Sequence, residues 1–277
     1  MKYLLAIILF FSLWFVSNGQ DTIFYKEIDT TKLYLEIYPS EIQQDSKNPA
    51  VVFFFGGGWI GGTRDHFRPH AEYFSKRGLT CFLVDYRIQR IHKTTPFESL
   101  MDAKSAMRYI RKNAEQFGID PDKIIASGGS AGGHLAAATA IIKDFNDPLD
   151  DMLIDPVPNA LVLFNPVIDN GPGGYGFERI GEEYLRFSPL HNIREGAPPT
   201  ILFLGTEDNL IPVETVEYYK TVMENVGSRC DLQIYPEQGH GFFNYRNFDF
   251  YKQTILEADS FLQSLGFLNW SPVVKIE

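Results

Sequence analysis

The chain reads as an α/β protein with a mostly parallel, doubly wound sheet that opens on an antiparallel hairpin. Three observations predict this. Ala50–Phe55, Leu79–Asp85, Ala160–Phe164 and Thr200–Leu204 are short, largely apolar runs rich in β-branched and aromatic residues, as expected of strands buried on both faces. Stretches of helical length alternate with them, the order that builds parallel strand–helix–strand units. Thr22–Ile28 and Lys32–Tyr38, by contrast, alternate apolar with polar residues around a tight turn, the mark of a half-buried antiparallel pair.

Taken in order, Thr22–Ile28 and Lys32–Tyr38 form that hairpin about Asp29-Thr30, with Leu33, Leu35 and Ile37 on one face. Residues 40–49 are a polar loop ending in proline. The buried strand Ala50–Phe55 runs into Gly56-Gly57-Gly58-Trp59. Phe67–Arg77 is a helix stopped by Gly78, and Leu79–Asp85 is the next strand. Pro96–Phe117 is a long amphipathic helix with Ala103, Ala106, Met107, Ile110 and Ala114 on one face, ended by Gly118. Lys123–Ser127 is a strand bounded by Asp120-Pro121-Asp122, and the alanine-rich His134–Ile142 is a helix. After Ala160–Phe164 the chain becomes irregular across 167–197, a small insertion over the strand ends with a helix-like Glu178–Arg186. Strand Thr200–Leu204, helix Val213–Val226, strand Cys230–Tyr235 and helix Phe248–Leu265 complete the alternation. With no repeat, linker or low-complexity tract, residues 20–277 read as one domain.

A chain of 277 residues can bury one large core, and 44% hydrophobic with 22% charged residues is a globular composition. The formal net charge of −10, with no basic stripe, argues against a nucleic-acid partner. Residues 1–19 read as a secretory signal: Met1-Lys2, an apolar run from Tyr3 to Val16, then small residues at Ser17-Asn18-Gly19. That run falls short of the roughly 20 residues that span a bilayer, so a secreted or periplasmic protein without stable membrane insertion is expected. Cys81 and Cys230 begin strands far apart in this fold and are expected to be buried free thiols.

Chemistry concentrates in Gly128-Gly129-Ser130-Ala131-Gly132-Gly133, a G-x-S-x-G run with strand before and helix after. That context makes a nucleophile elbow, where a serine is perched on a turn tight enough to demand glycine neighbours. A phosphate-binding loop does not fit, because the lysine that would reach the phosphates is missing. Ligand-contacting groups in open α/β sheets gather beyond the carboxyl ends of strands. The polar residues there are the Gly56–Trp59 run, Ser130, Asn165, Asp208 and His240. Ser130, Asp208 and His240 stand in the order nucleophile, acid, base. A serine hydroxyl needs a base within hydrogen-bond reach; imidazole titrates near neutral pH, and a carboxylate fixes its tautomer. Glu207 and Asp231 compete with Asp208 for the acid role. Backbone N–H groups of Ala131, Gly57 and Gly58 would form the oxyanion hole, one such donor contributing roughly 3–4 kcal/mol. Trp59 is a candidate acyl-pocket residue or an aromatic core residue. His134 reads as structural, His66, His70 and His191 as surface or loop residues, and Asp85-Tyr86-Arg87 as a buried polar brace. No His/Cys/Asp cluster has metal-ligand spacing, and neither a metal nor an organic cofactor is implied.

Gly56-Gly57-Gly58-Trp59, Gly118-Ile119-Asp120-Pro121, Gly128–His134, Gly205-Thr206-Glu207-Asp208 and Gly239-His240-Gly241-Phe242 together resemble an α/β-hydrolase of the esterase/lipase group. The resemblance covers roughly residues 30–265. It is most similar to the branch of hormone-sensitive-lipase-like esterases and secreted acetyl-xylan and feruloyl esterases. One position departs: the family's glycine run usually begins with a histidine that orients the oxyanion loop, and here that position is Phe55. The resemblance implies a secreted serine carboxylester hydrolase acting through an acyl-enzyme on short acyl groups, acetyl foremost, of polysaccharides or small esters. Tyr175 and its neighbouring glycines are then candidates for a carbohydrate-facing rim. A peptidase of the prolyl-oligopeptidase type shares fold and triad but carries a large extra domain; a non-catalytic binding module would have lost a triad member.

Overall fold

The computed structural model describes residues 21–42 and 47–276; the expected signal segment, 1–19, lies outside the described residues. Eight strands form one sheet in spatial order β1-β2-β4-β3-β5-β6-β7-β8. They are β1 (Asp21–Ile28), β2 (Thr31–Tyr38), β3 (Asn48–Phe54), β4 (Thr80–Val84), β5 (Ile119–Gly129), β6 (Ala160–Phe164), β7 (Thr200–Gly205) and β8 (Cys230–Tyr235). β1, β2 and β4 pair antiparallel, and every pair from β4 onward is parallel. The inner strands are buried along almost their whole length, whereas β1 at one edge and β8 at the other are partly exposed.

Five long helices cover the sheet: α1 (Arg68–Lys76), α2 (Pro96–Lys112), α3 (Ala131–Ile141), α4 (Val213–Asn225) and α5 (Phe248–Ser264). Successive strand side chains point to opposite faces. Val51 and Phe53 therefore pack with α1, the turn before it and α5 through Phe67, Phe74, Tyr251 and Ile255. Ala50, Val52 and Phe54 pack with α2, α3 and α4 through Met107, Leu135, Val216 and Tyr219. α3 is buried at every position, which explains its alanine-rich, charge-free sequence. Its last carbonyls are capped by cations: Lys104 Nζ donates to Ile142 O at 2.7 Å, and Arg194 Nη1 donates to Ile141 O. Burial lowers the Lys104 pKa to about 7.

Boundaries deviate from expectation where local chemistry overrides periodicity. α2 starts on a capping box between Thr95 and Glu98 but stops at Lys112, five residues before the expected Phe117. α3 begins at Ala131 rather than His134, because the helix starts directly at the elbow. The expected helix 178–186 is two single turns, Phe177–Ile180 and Tyr184–Phe187, interrupted at Gly181, whose φ is +60°. Cys81 and Cys230 are buried free thiols on β4 and β8. Among the described residues no helix is long and apolar enough to cross a membrane.

His70 is not a surface residue. It is fully buried in a cage of Phe53, Phe67, Phe164, Phe243 and Tyr251, and neither ring nitrogen has a hydrogen-bond partner. Burial pushes its pKa down to about 3. Another buried polar group is fully paired: Arg77 grips Asp259 through Nε at 2.5 Å and Nη2 at 3.0 Å, and Tyr73 OH donates to the same carboxylate at 2.8 Å. Arg77 Nη2 also donates to Asn269 O at 2.7 Å, tying the segment after α5 to the end of α1.

Asp259→Asn leaves the Arg77 charge without its counter-ion and is expected to cost about 3–5 kcal/mol, read as a fall in Tm of about 10 °C by calorimetry. His70 binds a proton near pH 6.5 when unfolded but only near pH 3 when folded, so its contribution to stability declines as pH falls below 6.5. At pH 5 that loss is ~2 kcal/mol. His70→Phe should flatten Tm against pH between 6.5 and 5; a profile parallel to that of the parent chain would contradict this assignment.

Candidate active site

The strand registers place the candidate residues on one edge. Phe54 stands level with Gly128, Gly129 with Phe164, Phe164 with Phe203, and Gly205 with Tyr235. The Gly56–Trp59 loop, Ser130, Asn165, Asp208 and His240 all leave the sheet at these carboxyl ends.

The turn from β5 into α3 has the geometry an elbow needs. Ser130 sits at φ 56°, ψ −123°, a conformation costing of order 1–3 kcal/mol for a residue with a Cβ. Its N–H donates to Phe164 O at 3.0 Å, and its carbonyl accepts from His134 N at 3.0 Å and Val167 N at 3.1 Å. The flanking glycines allow the approach: a Cβ on Gly132 would lie 2.0 Å from Phe54 O, and one on Gly128 2.4 Å from the Gly132 backbone.

Ser130 Oγ lies 3.0 Å from His240 Nε2, and His240 Nδ1 lies 2.8 Å from Asp208 Oδ2. The Asp208 side chain is fully buried, and its other oxygen accepts from Leu210 N at 2.9 Å and Ile211 N at 3.0 Å. With its oxygens engaged as acceptors, the carboxylate holds the proton of His240 on Nδ1 and leaves Nε2 free to accept one. Glu207 is exposed and Asp231 pairs with Arg229, so neither reaches the histidine.

The Gly56–Trp59 loop lies against the serine: a Cβ on Gly56 would be 3.4 Å from Ser130 Cβ. The N–H groups of Gly57, Gly58 and Ala131 donate to no acceptor among the described residues. Ala131 also opens α3, whose dipole favours negative charge at that end. Phe55, where related loops carry histidine, is braced in another way. Its ring stacks on Tyr86 at 4.1 Å, and Tyr86 OH donates to Phe55 O at 2.7 Å. Tyr86 belongs to the expected polar brace, whose Arg87 pairs with the buried Asp102 at 2.7 Å.

His66 departs from expectation. It is half-buried, and it bridges two loops. Gly56 N–H donates to its Nδ1 at 3.1 Å, so Nε2 carries the proton and donates to Asn244 Oδ1 at 2.5 Å. Asn244 Nδ2 donates in turn to Gly241 O at 2.6 Å, beside His240. Burial lowers the His66 pKa, which keeps Nδ1 an acceptor at neutral pH. No spacing in the sequence pointed to this histidine or to Asn244, and Asn165 was flagged there only by its place after a strand.

Trp59 is 1% exposed and packs against His134, Tyr175 and Phe187, so of its two expected roles the structure places it in the core. His134 is buried and donates from Nε2 to Phe187 O at 3.0 Å, a structural role as expected. His191 is a half-exposed loop residue 3.8 Å from Asp169. Tyr175 is half-buried at the loop's edge; a Cβ on Gly58 would lie 2.4 Å from its hydroxyl. Arg179, unflagged by the sequence, donates to Gly58 O at 2.5 Å with its guanidinium over the Trp59 ring. A cleft of about 230 Å³ lies between the insertion and the loop after β7, lined by Asp169, Gly173, Tyr175, Leu210, Ile211 and Thr215 among others.

Comparison with known proteins agrees with this geometry. Residues 35–171 match the BD-FAE family model, and residues 175–269 match the dienelactone hydrolase family. The structure of apo Thermogutta terrifontis esterase 2 superposes with a TM-score of 0.87 at 42% identity, covering 92% of this chain and 97% of that one. Structures of the same esterase include propionate-bound, butyrate-bound and paraoxon-phosphorylated forms. The acetylxylan esterase of Xylanibacter ruminicola is 26% identical over 243 residues, 81% of this chain and 47% of that protein. The esterase LipC of Mycobacterium tuberculosis is 26% identical over 232 residues, 75% of this chain and 56% of that protein. This chain spans about half the length of these curated relatives. By its sheet order, by its two family matches and by its likeness to a thermophilic esterase along almost its whole length, the chain belongs to the esterases of the α/β-hydrolase fold.

Proposed function

We infer that the protein is an exported serine carboxylester hydrolase that removes short acyl groups, acetyl foremost, from carbohydrate or small-molecule esters. The observation that carries this reading is the alignment of Ser130 Oγ, His240 Nε2 and Asp208 Oδ2 at 3.0 and 2.8 Å beside unpaired backbone donors. In this reading Ser130 Oγ attacks the ester carbonyl carbon while its proton passes to His240 Nε2. Asp208 stabilises the imidazolium without itself taking the proton. The carbonyl oxygen, now an oxyanion, receives the N–H groups of Gly57, Gly58 and Ala131. His240 returns the proton to the departing alcohol oxygen, leaving an acyl-enzyme on Ser130. Water then enters, gives its proton to His240 and attacks the acyl carbon; collapse releases the carboxylic acid and restores the serine.

Three observations support the finer reading. Esterase 2 of Thermogutta terrifontis has been crystallised with the short carboxylates propionate and butyrate. A relative carries the name acetylxylan esterase. The cleft lined by Tyr175, whose hydroxyl reaches toward Gly58, is small, with a carboxylate, a hydroxyl and a phenol among aliphatic groups, a lining suited to a sugar alcohol more than to a long acyl chain. Export rests on the signal-like sequence of residues 1–19.

The purified protein should cleave p-nitrophenyl acetate with a kcat/KM that falls as the acyl chain lengthens past butyrate. Ser130→Ala should lower kcat by about 10⁵-fold while leaving Tm intact. Paraoxon should inactivate the parent chain one to one and leave Ser130→Ala unmodified by mass spectrometry. Activity retained in Ser130→Ala would sink the mechanism. Release of acetate from acetylated xylan, set against ferulate from feruloyl esters and against peptide cleavage, tests the substrate class; a preference for peptide would favour the peptidase alternative.

A further inference from the structure

Asn165 is the first residue beyond β6, fully buried, at φ +34°. Few side chains other than asparagine tolerate positive φ readily, and such a conformation persists only where its surroundings enforce it. Its own N–H donates to Phe203 O at 2.7 Å, which keeps it in line with the sheet. Its side chain spans to the loop after β8 with two contacts. Oδ1 accepts from Gly241 N at 3.2 Å, and Nδ2 stands 3.2 Å from His240 Nε2.

The orientation of this amide follows from chemistry. Gly241 N–H can only donate, so the amide oxygen must face it, and the NH₂ group must face His240. Nε2 therefore receives two donors in the resting site, the Ser130 hydroxyl and the Asn165 amide. Both require a lone pair on Nε2, and Asp208 requires the proton on Nδ1. An imidazolium would turn its Nε2–H toward the Asn165 N–H. Asn165 cannot rotate to meet it, because the rotated amide would set NH₂ against the Gly241 N–H. A hydrogen bond to the neutral form of a base disfavours its charged form.

We propose that Asn165 is a positioning residue for His240: its amide, fixed by Gly241 N–H, holds the imidazole in place and keeps it neutral between turnovers. The proposal rests on His240 being the general base. It also addresses a moment the triad alone leaves open. Once Ser130 is acylated its oxygen has no proton to donate, and the Asn165 amide is then the protein donor still holding Nε2 where the hydrolytic water must meet it.

The other charged or titratable groups around His240 are Asp208, from the loop after β7, and His66, from the turn before α1, with Arg246 of the histidine's own loop facing His66. A change at Asn165 alters none of them.

The test uses two variants. Asn165→Asp keeps the size and the acceptor for Gly241 N–H but replaces the donor with a carboxylate oxygen. Asn165→Gly removes the side chain and suits the positive φ, so the backbone is retained. In a Ser130→Ala background, NMR titration of the His240 ring should show its pKa raised by about 1–2 units in Asn165→Asp and by about half a unit in Asn165→Gly. With Ser130 present, the acid limb of kcat/KM should move up correspondingly. Asn165→Asp should lose about tenfold in kcat/KM at pH 7 and regain most of it by pH 9. A purely structural role would lower activity equally at all pH values. An unmoved His240 pKa and an unmoved acid limb in folded Asn165→Asp would overturn the proposal. Failure of the triad itself shows separately, as activity in Ser130→Ala, and leaves the NMR readout of Asn165 intact.

Discussion

The structure depends on the strained backbone of Ser130. A serine at φ 56° is stable only because everything around it is committed to that shape. Its amide is bound by β6, and its carbonyl is bound by α3 and by the first residues of the insertion. Gly128 and Gly132 let β3, β5 and α3 approach to distances that a single methyl group would forbid. The strain thus falls at the meeting point of the sheet's central strands and its most buried helix, where the surrounding burial is greatest.

Around that point the site is assembled from parts that check one another. Asp208 is desolvated, yet it keeps two backbone donors from its own loop and the histidine proton from the loop after β8, so its charge is compensated. The Gly56–Trp59 loop is braced by Tyr86 through Phe55, His66 through Gly56, and Arg179 through Gly58. Replacement of the usual histidine by Phe55 is accordingly not a loss of support. A stacked aromatic pair and a phenol–carbonyl hydrogen bond hold the same stretch of chain.

Much of this was legible from residues alone, for physical reasons. Six apolar residues in a row, as in Ala50–Phe55, leave little choice but a strand covered on both sides. The meeting of Ser130, His240 and Asp208 was legible because strand ends on one edge converge, whatever their separation in sequence. What escaped reading was contact made by side chains of ambiguous character. Histidine suits a solvated loop, an aromatic cage or a buried bridge equally well, and nothing in the local pattern separates His70 from His66 or His191. The shortfall in α2 has the same origin: residues 113–117 keep helical composition, but the chain must turn there to enter β5. Gly181 broke the helix expected at 178–186 because its backbone, not its neighbours' propensity, decided the turn.

The bridge from Gly56 through His66 and Asn244 to Gly241 bears on how the molecule matures. His66 and Asn244 are 178 positions apart, and the serine and its base are 110 apart. During synthesis the elbow emerges long before β8 and the loop that follows it. Until that last strand pairs with β7, Ser130 Oγ has no histidine within reach and the glycine loop lacks its far anchor. The Ser130–His240 contact therefore depends on the last strand of the sheet and cannot form while that strand is unpaired.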